Sequence, residues 1–153
     1  MGEGGPRQVP IREGLFSWPS AEPHLLASRC DACGTVSWPS TSTCANPHCR
    51  GGAIATIELS RRGRLDSYTI MRYQPPPPWR GPQSLVPLGQ GFVTLPEGIA
   101  VAAVFTTADP AELTPGREME LVVERLYDDE EGNEVMSYRF RPVGPIAEHE
   151  GRP

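Results

Sequence analysis

The sequence predicts a mainly β protein in two parts, a small cysteine-bearing ribbon followed by a β-barrel. Eighteen prolines and 16 glycines occur among its 153 residues. Because both residues interrupt helices, this composition excludes a helical bundle or a long coiled coil. Four cysteines lie in two close pairs in the first third of the chain. After residue 53 the chain changes to short runs that are β-branched or alternate in polarity, separated by turn residues, as in an all-β domain.

An arm precedes the cysteines. It is rich in glycine and proline, and we expect its first residues to be disordered. The run Gly14–Trp18 carries Phe16 and Trp18, and such an aromatic run typically docks a loose arm onto a core or a partner. Ser20 can cap a helix, so a short helix is expected within residues 20–27.

The cysteine segment predicts a metal site. Cys30 and Cys33 form a C-x2-C-G motif, and Cys44 and Cys49 form a C-x4-C pair further along. A C-x2-C turn lets two thiolates reach one ion at about 2.3 Å, and the glycine that follows fits a turn with positive φ. Two such turns complete a closed tetrahedral site, structural rather than catalytic, with Zn²⁺ as first choice and iron as the alternative. His48 competes with Cys49 as fourth ligand; thiolates bind zinc strongly, which favours Cys49.

The barrel is predicted from a succession of short strands. We expect strands at Ala53–Leu59, Arg64–Arg72, Phe92–Leu95, Ile99–Thr106, Glu118–Leu126 and Glu134–Phe140. The first two could be one bent strand interrupted near Gly63, since glycine often marks a bulge. A polar turn at 128–133 makes the last two strands a hairpin, and Pro110–Leu113 could form one helical turn. An OB-like barrel is the first choice because closure removes exposed sheet edges. The expected organisation is arm 1–24, ribbon 25–52, barrel 53–143 and tail 144–153.

A proline-rich stretch interrupts the predicted barrel. Four consecutive prolines at 75–78 precede Trp79, and such a run adopts stiff, extended polyproline II. It is either a rigid surface loop or a loop that presents Tyr73 and Trp79 to a partner or ligand. The sequence leaves both interpretations open.

Charge excludes several functions. All 14 basic residues are arginines and the net charge is −5, so lysine chemistry is excluded and general nucleic-acid binding is disfavoured.

No apolar run reaches the length of a membrane span and no signal-peptide core is visible, so we expect a cytoplasmic chain without membrane contact. Arg61, Arg62 and Arg64 are an anion-binding candidate, since guanidinium groups suit phosphate; the alternative is a solvated turn.

No catalytic motif is recognisable. The chain lacks the nucleophile-elbow, zinc-protease and dinucleotide fingerprints. His24 could act as a base, but no nucleophile lies near it in the sequence. Catalysis by the chain alone is therefore the less favoured interpretation.

The order of aromatic arm, C-x2-C-G ribbon and small barrel resembles the acyl-CoA-associated zinc-ribbon plus OB-fold proteins that accompany thiolase-superfamily enzymes. The segments Leu26–Gly34, Gly63–Thr69 and Leu95–Gly98 carry the resemblance, which extends over residues 15–143. It implies a rubredoxin-like ribbon with structural zinc, and a subunit that is not itself the catalyst. The implied partner is a thiolase-like or lipid-transfer-protein-like subunit, expected in a heterotetramer.

The resemblance also implies a chemistry for the complex. It is carbon–carbon bond cleavage in acyl-CoA substrates by retro-aldol reaction or thiolysis, as in steroid side-chain or aromatic degradation. A CoA thioester would bind at the partner interface. Residues expected to touch partner or ligand are Arg61, Arg62, Arg64, Tyr73, Trp79, Phe16 and Trp18. The alternatives are an OB-fold and zinc-ribbon module that binds nucleic acid, and a small autonomous enzyme that uses His24.

Overall fold

The computed structural model describes residues 5–77 and 87–144. Trp79 and the rest of the stretch between these ranges lie outside the described residues. The strands are β1 Gln8–Pro10, β2 Leu26–Cys30, β3 Val36–Ser37, β4 Ile54–Glu58, β5 Arg62–Met71, β6 Leu88–Thr94, β7 Ala100–Val104, β8 Glu118–Asp128 and β9 Glu134–Pro142. A 3₁₀ helix spans Pro110–Glu112. Within the two described ranges, no helix is long and apolar enough to cross a membrane.

The strands form two sheets, one for the ribbon and one for the barrel. The ribbon sheet has the order β3-β2-β4 and is antiparallel. The barrel sheet has the order β1-β9-β8-β5-β6-β7, with β1 parallel to β9 and the other pairs antiparallel. The sheet curls until β7 reaches β9, where Phe105 bridges Phe140 and the N–H of Thr106 donates to the Phe140 carbonyl at 3.1 Å. The predicted mainly β architecture, ribbon first and barrel second, is confirmed.

The segment 20–27 contains no helix, so that prediction is wrong. Phe16 and Leu25 form an antiparallel bridge, and the N–H of Leu26 donates to the carbonyl of Leu15 at 3.0 Å. The arm therefore pairs with the segment that leads into β2 and holds it extended. Ser20 still accepts a hydrogen bond from the N–H of Glu22, but as part of a turn.

The first strand expected in the barrel belongs to the ribbon. β4 pairs with β2 along its whole length, from Leu26 opposite Glu58 to Cys30 opposite Ile54. The interruption expected near Arg62 and Gly63 falls earlier, at residues 59–61, and Gly63 lies inside β5 opposite Met119. The chain passes from one sheet to the other between β4 and β5, and the bulge in β5 falls between Leu65 and Ser67.

Other elements agree with the sequence in kind and differ in extent. The β8–β9 hairpin is confirmed, and so is the helical turn after Asp109, whose carboxylate accepts from the Ala111 N–H at 2.9 Å. β6 begins at Leu88, four residues earlier than expected. Its start carries Gly89 and Gly91, which weaken a strand pattern. A Cβ atom at Gly91 would lie 2.0 Å from the Ser67 carbonyl oxygen, so only glycine fits where β6 crosses the bulge of β5.

One hydrophobic core runs through the arm, the ribbon and the barrel. Leu15 and Phe16 of the arm and Leu25 and Ala27 of the ribbon are buried in the same cluster as the inward side chains of the barrel. The barrel members include Leu59, Leu65, Val93, Leu95, Val101, Phe105, Leu113, Met119, Leu121 and Phe140. The small ribbon sheet thus rests on the barrel instead of enclosing a core of its own.

Candidate metal centre and its joint with the barrel

The four cysteine thiols lie together at one end of the ribbon sheet. Cys30 ends β2 and is buried, whereas Cys33 lies in the exposed turn that follows. Gly34 closes this turn with φ of 79°, as its position predicted, and its N–H donates to the Cys30 carbonyl at 2.8 Å. Cys44 and Cys49 come from the second turn. The local turns therefore aim side chains that are far apart in sequence at one point.

The spacing of the sulfur atoms fits one tetrahedral ion. Cys30 Sγ lies 3.8 Å from Cys49 Sγ, and Cys33 Sγ lies 3.5 Å from Cys44 Sγ. All four sulfur atoms lie within 4.8 Å of one another. Four ligands at about 2.3 Å from a zinc ion would be separated by about 3.8 Å. The donor set and its dimensions therefore suit Zn²⁺, and four protein ligands leave no open position for a reacting water.

Hydrogen bonds to sulfur prepare the site for negative charge. The N–H of Asn46 donates to Cys44 Sγ at 3.4 Å, and the N–H of Gly51 donates to Cys49 Sγ at 3.3 Å. Hydrogen bonds with the side chain and then with the backbone of Thr35 lower the pKa of Cys33 to about 6. These contacts stabilise the thiolate form, which is the form that binds a metal.

The neighbouring thiols resist ionisation together. The N–H of Asn46 lowers the pKa of Cys44, but loss of solvent and hydrogen bonds with the other thiols outweigh it and raise that pKa to about 12. The pKa of Cys49 is raised as well; there the N–H of Gly51 lowers it, and loss of solvent and the contacts with Cys33 and Cys30 prevail. A divalent cation would supply the positive charge that all four thiolates need.

The geometry favours Cys49 over His48 as the fourth ligand. His48 is exposed, and its backbone N–H donates to Asn46 Oδ1 at 2.9 Å. The group of possible ligand atoms that lie within mutual reach contains the four cysteines and not this histidine. The adjacent turn aims the Cys49 thiol at the cluster because its sulfur accepts the Gly51 N–H.

Polar contacts join the ribbon to the barrel beside the shared core. The guanidinium of Arg61 donates to the Pro23 carbonyl and, at 2.9 Å, to the Leu121 carbonyl. Nδ1 of His24 lies 2.8 Å from the Leu59 carbonyl oxygen. The side chains of Arg61 and His24, one a candidate for anion binding and the other for catalysis, thus contact backbone carbonyls at the joint.

An aromatic pair forms the other side of the joint. Trp38 of the ribbon packs edge to face on Tyr138 of β9, with ring centroids 5.2 Å apart. Nε1 of Trp38 donates to the Leu15 carbonyl at 3.3 Å, and the Tyr138 hydroxyl donates to the Ala102 carbonyl at 2.7 Å. Burial raises the pKa of Tyr138 to about 12. Sequence reasoning missed both residues because an aromatic in or beside a strand carries no signal of what it faces.

The turn before β7 also holds the connection between the sheets. Oε2 of Glu97 accepts hydrogen bonds from the backbone N–H and the hydroxyl of Ser60, at 2.9 and 2.8 Å. Ser60 lies in the passage from β4 to β5. The glycine turn that the sequence singled out therefore carries a carboxylate that fixes this passage.

Two groups of predicted site residues remain, the arginines of β5 and the aromatic residues of the arm. Arg62 forms ion pairs with Glu118 at 3.1 Å and Glu120 at 3.7 Å, and Arg64 donates to the Gly116 carbonyl at 3.0 Å. Phe16 is 2% exposed, packs against Trp18 and leaves almost no surface for a partner. The structure brings the four cysteines together, but it does not bring these residues to them.

Tyr73 differs from the aromatic residues of the arm. Its side chain is 67% exposed at the end of β5, where the proline-rich stretch begins. Phe92, which the sequence did not single out, is 46% exposed. Trp79, the other aromatic predicted to contact a partner, lies outside the described residues.

Comparisons with known proteins agree with this architecture. The rubredoxin-like zinc ribbon domain of ChsH2 matches residues 18–55, and the C-terminal OB-fold domain of ChsH2 matches residues 56–124. The chain is 31% identical over 122 residues to the benzoylsuccinyl-CoA thiolase subunit BbsA of Thauera aromatica, covering 79% of this chain and 78% of that protein.

Two further relatives extend the comparison. The chain is 30% identical over 120 residues to a DUF35 domain-containing scaffold protein of Pyrococcus furiosus, covering 78% of this chain and 83% of that protein. A solved structure titled Ltp2-ChsH2(DUF35) aldolase superposes with a TM-score of 0.57 at 28% identity, covering 78% of this chain and 84% of the other. The chain therefore belongs to the ChsH2-type DUF35 family, in which a rubredoxin-like zinc ribbon precedes an OB-fold domain.

Proposed function

We propose that this chain is a non-catalytic subunit of a thiolase-superfamily enzyme that acts on acyl-CoA substrates. The observation that carries the proposal is the fusion of a closed four-thiol ribbon and an OB-fold barrel into one body through a shared core. In the described part of the chain, His24, the residue considered as a base, and Arg61, a candidate for anion binding, contact backbone carbonyls. The relatives named as a thiolase subunit, as scaffold proteins and as part of an aldolase support the same role.

The metal in this proposal is a structural Zn²⁺ held by the four cysteines. The ion would supply the positive charge that keeps four close thiolates together and the cross-link that the small ribbon sheet lacks. The thiolates of Cys30, Cys33, Cys44 and Cys49 hold it, and the N–H groups of Asn46 and Gly51 stabilise two of them.

The partner would perform the chemistry. We propose carbon–carbon bond cleavage by retro-aldol reaction or thiolysis, in steroid side-chain or aromatic degradation, within a cytoplasmic heterotetramer. This chain would stabilise the partner and complete its site for the CoA thioester. Of the three clustered arginines, Arg64 is best placed to reach a CoA phosphate, because its guanidinium makes one carbonyl contact, whereas Arg62 makes ion pairs and Arg61 holds the joint.

Co-expression tests this function. The chain is produced with a thiolase-superfamily subunit that mass spectrometry has identified in a pull-down from its host. We expect a stable complex that cleaves acyl-CoA, and we expect no turnover by this chain alone. Acyl-CoA turnover by the isolated chain that His24→Ala abolishes would contradict the proposal. Salt-sensitive binding of single-stranded DNA, with no thiolase-superfamily protein captured, would favour the nucleic-acid alternative instead.

A further inference from the structure

The barrel has two outer faces of opposite character. On the face of β8 and β9, cross-strand ion pairs cover the surface: Arg139 lies 3.8 Å from Glu124, and Arg141 pairs with Glu120. On the face of β5, β6 and β7, the register places two uncharged rows side by side. These rows are Ser67, Phe92 and Ala102, then Thr69, Gln90 and Val104. We call these two rows the uncharged face.

The uncharged face is open to solvent. Val93 and Val101 point inward and are fully buried, whereas Phe92 and Ala102, the next residues along the same two strands, are exposed. A groove of about 460 Å³ runs along Phe92 and Ala102 to Tyr138, and every residue that lines it is uncharged. In a chain with 33 charged residues among 153 (14 basic and 19 acidic), such a groove is unusual for a solvated surface.

Exposed aromatic residues concentrate here. Within the described residues, the exposed large hydrophobic side chains are Ile11, Tyr73 and Phe92. A second groove, of about 370 Å³, contains Tyr73 and shares Thr69 and Gln90 with the first. Phe92 and Tyr73 thus belong to one continuous surface. Phe92 lies among uncharged residues and Tyr73 lies beside Arg72. Exposed aromatic residues with charge depleted at the centre and arginine nearby are typical of protein interfaces.

We infer that the uncharged face, with Phe92 and Tyr73 as anchors, is the docking surface for the thiolase-superfamily subunit; the identity of that partner rests on the proposed function. The small side chain of Ala102 beside Phe92 lets a partner approach the sheet closely. Depletion of charge at the centre and charged residues at the border match the anatomy of a specific interface.

The border argues for a different protein over a second copy of this chain. Arg64 lies opposite Thr94 at one end of the exposed side of β5, and Asp66 lies at the bulge of this strand. Arg72 follows the strand at its other end and lines the groove that contains Tyr73. Two copies packed face to face would oppose borders of the same net positive charge, which is unfavourable. A partner with an apolar centre and a carboxylate opposite Arg72 complements the surface, and Arg64 remains for the CoA phosphate named in the proposed function.

The size of the surface is consistent with the centre of a larger interface. The chain advances eight residues from Arg64 to Arg72, so the uncharged face together with its charged borders is about 27 Å long at about 3.4 Å per residue. Three strands at about 4.8 Å spacing make it about 14 Å wide, or about 400 Å². A stable interface buries about 800 Å² on each partner, so the remaining area comes from surface beyond these borders.

Charge insertion on the two faces tests the inference. Phe92→Glu and Ala102→Arg are made singly in the full chain, which is co-expressed with the thiolase-superfamily subunit identified in the pull-down. We expect each variant to weaken binding at least tenfold in a titration of the purified subunits. The control Arg125→Glu changes the charge by two units on the β8 side and should bind as the unchanged chain does. Circular dichroism and zinc content verify that each variant is folded.

The outcomes separate this inference from the proposed function. If the unchanged chain binds the thiolase-superfamily subunit and both face variants bind it equally well, the docking surface is wrong and the proposed function stands. If the unchanged chain binds no such subunit, both are wrong. If the isolated chain is a dimer that Phe92→Glu converts to a monomer, the face joins two copies and the inference is overturned.

Discussion

The ribbon and the barrel reach stability by different physical means. The ribbon sheet has strands of five, two and five residues, and its buried side chains Leu25 and Ala27 pack into the core of the barrel. The barrel sheet has six strands and surrounds a set of fully buried aliphatic and aromatic side chains. The difference teaches that a small sheet without a core of its own can rest on the core of a neighbour, and a metal held by the four thiols would add a cross-link to it.

Removal of the metal should produce the largest effect. Chelation, or Cys30→Ser, should release zinc and disorder the ribbon, since structural zinc contributes about 10–16 kcal/mol in small zinc-finger peptides. The barrel should keep its strands because its core does not contain the cysteines. Elemental analysis measures the zinc content, and hydrogen exchange measures the protection of the ribbon and of the barrel separately. Equal loss of protection in ribbon and barrel would show that the barrel depends on the metal as much as the ribbon does.

The same measurement distinguishes the two candidates for the fourth ligand. His48→Ala should keep one zinc per chain, and Cys49→Ser should lose it, because Cys49 Sγ lies 3.8 Å from Cys30 Sγ. Retention of full zinc content in Cys49→Ser would overturn the four-thiolate site.

Loss of a core side chain of the barrel should come next. Leu121 of β8 is fully buried, so Leu121→Ala should lower the free energy of unfolding by about 2–5 kcal/mol through lost burial and a cavity. Leu126→Ala, on the same strand but half-buried, should cost less. Urea denaturation with zinc present compares them, and equal costs would mean that this core does not dominate stability.

The joint between the two regions should contribute an intermediate amount. Arg61→Gln should lower the free energy of unfolding by about 1.5–3 kcal/mol, because it removes charged hydrogen bonds to the carbonyls of Pro23 and Leu121. The adjacent control Arg62→Gln removes exposed ion pairs and should cost at most about 1 kcal/mol. If both substitutions cost the same, Arg61 is not a clamp between ribbon and barrel.

Titration at the aromatic contact should have the smallest effect. Burial raises the pKa of Tyr138 to about 12 from its ordinary value of 10.0. The folded state favours the neutral phenol, so its contribution is complete below pH 10 and is lost as pH rises towards 12. Urea denaturation across this window should show declining stability, with a shallower decline in Tyr138→Phe. Identical slopes would indicate that the phenol ionises without cost.

The ribbon and the barrel also differ in how much of their structure could be predicted from the sequence. The cysteine spacing was enough for the ribbon because a turn of fixed length determines where two nearby thiols point. The strand patterns identified the barrel and the β8–β9 hairpin. They could not assign β4 to its sheet, since Ile54–Glu58 has the same alternation whether it pairs with β2 or with a barrel strand.

The functional side chains beyond the cysteines show the same limit. Arg61 and Arg62 are neighbours in sequence, yet one contacts backbone carbonyls and the other carboxylates. Phe16 and Phe92 are the same residue type, yet one is buried and the other exposed. Such outcomes depend on partners that are distant along the chain, which the local pattern does not contain.

The sequence by itself determined the elements that rest on local chemistry: a closed four-thiol cluster, a β-rich chain without long helices, and a net charge that disfavours nucleic acid. Only the tertiary structure decided how the ribbon rests on the barrel, which arginines are already engaged, and which sheet face remains uncharged and open. The physical reason is the distance along the chain between the residues that interact. Turn geometry and composition are properties of adjacent residues, whereas burial and pairing are set by contacts that closure of the barrel brings together.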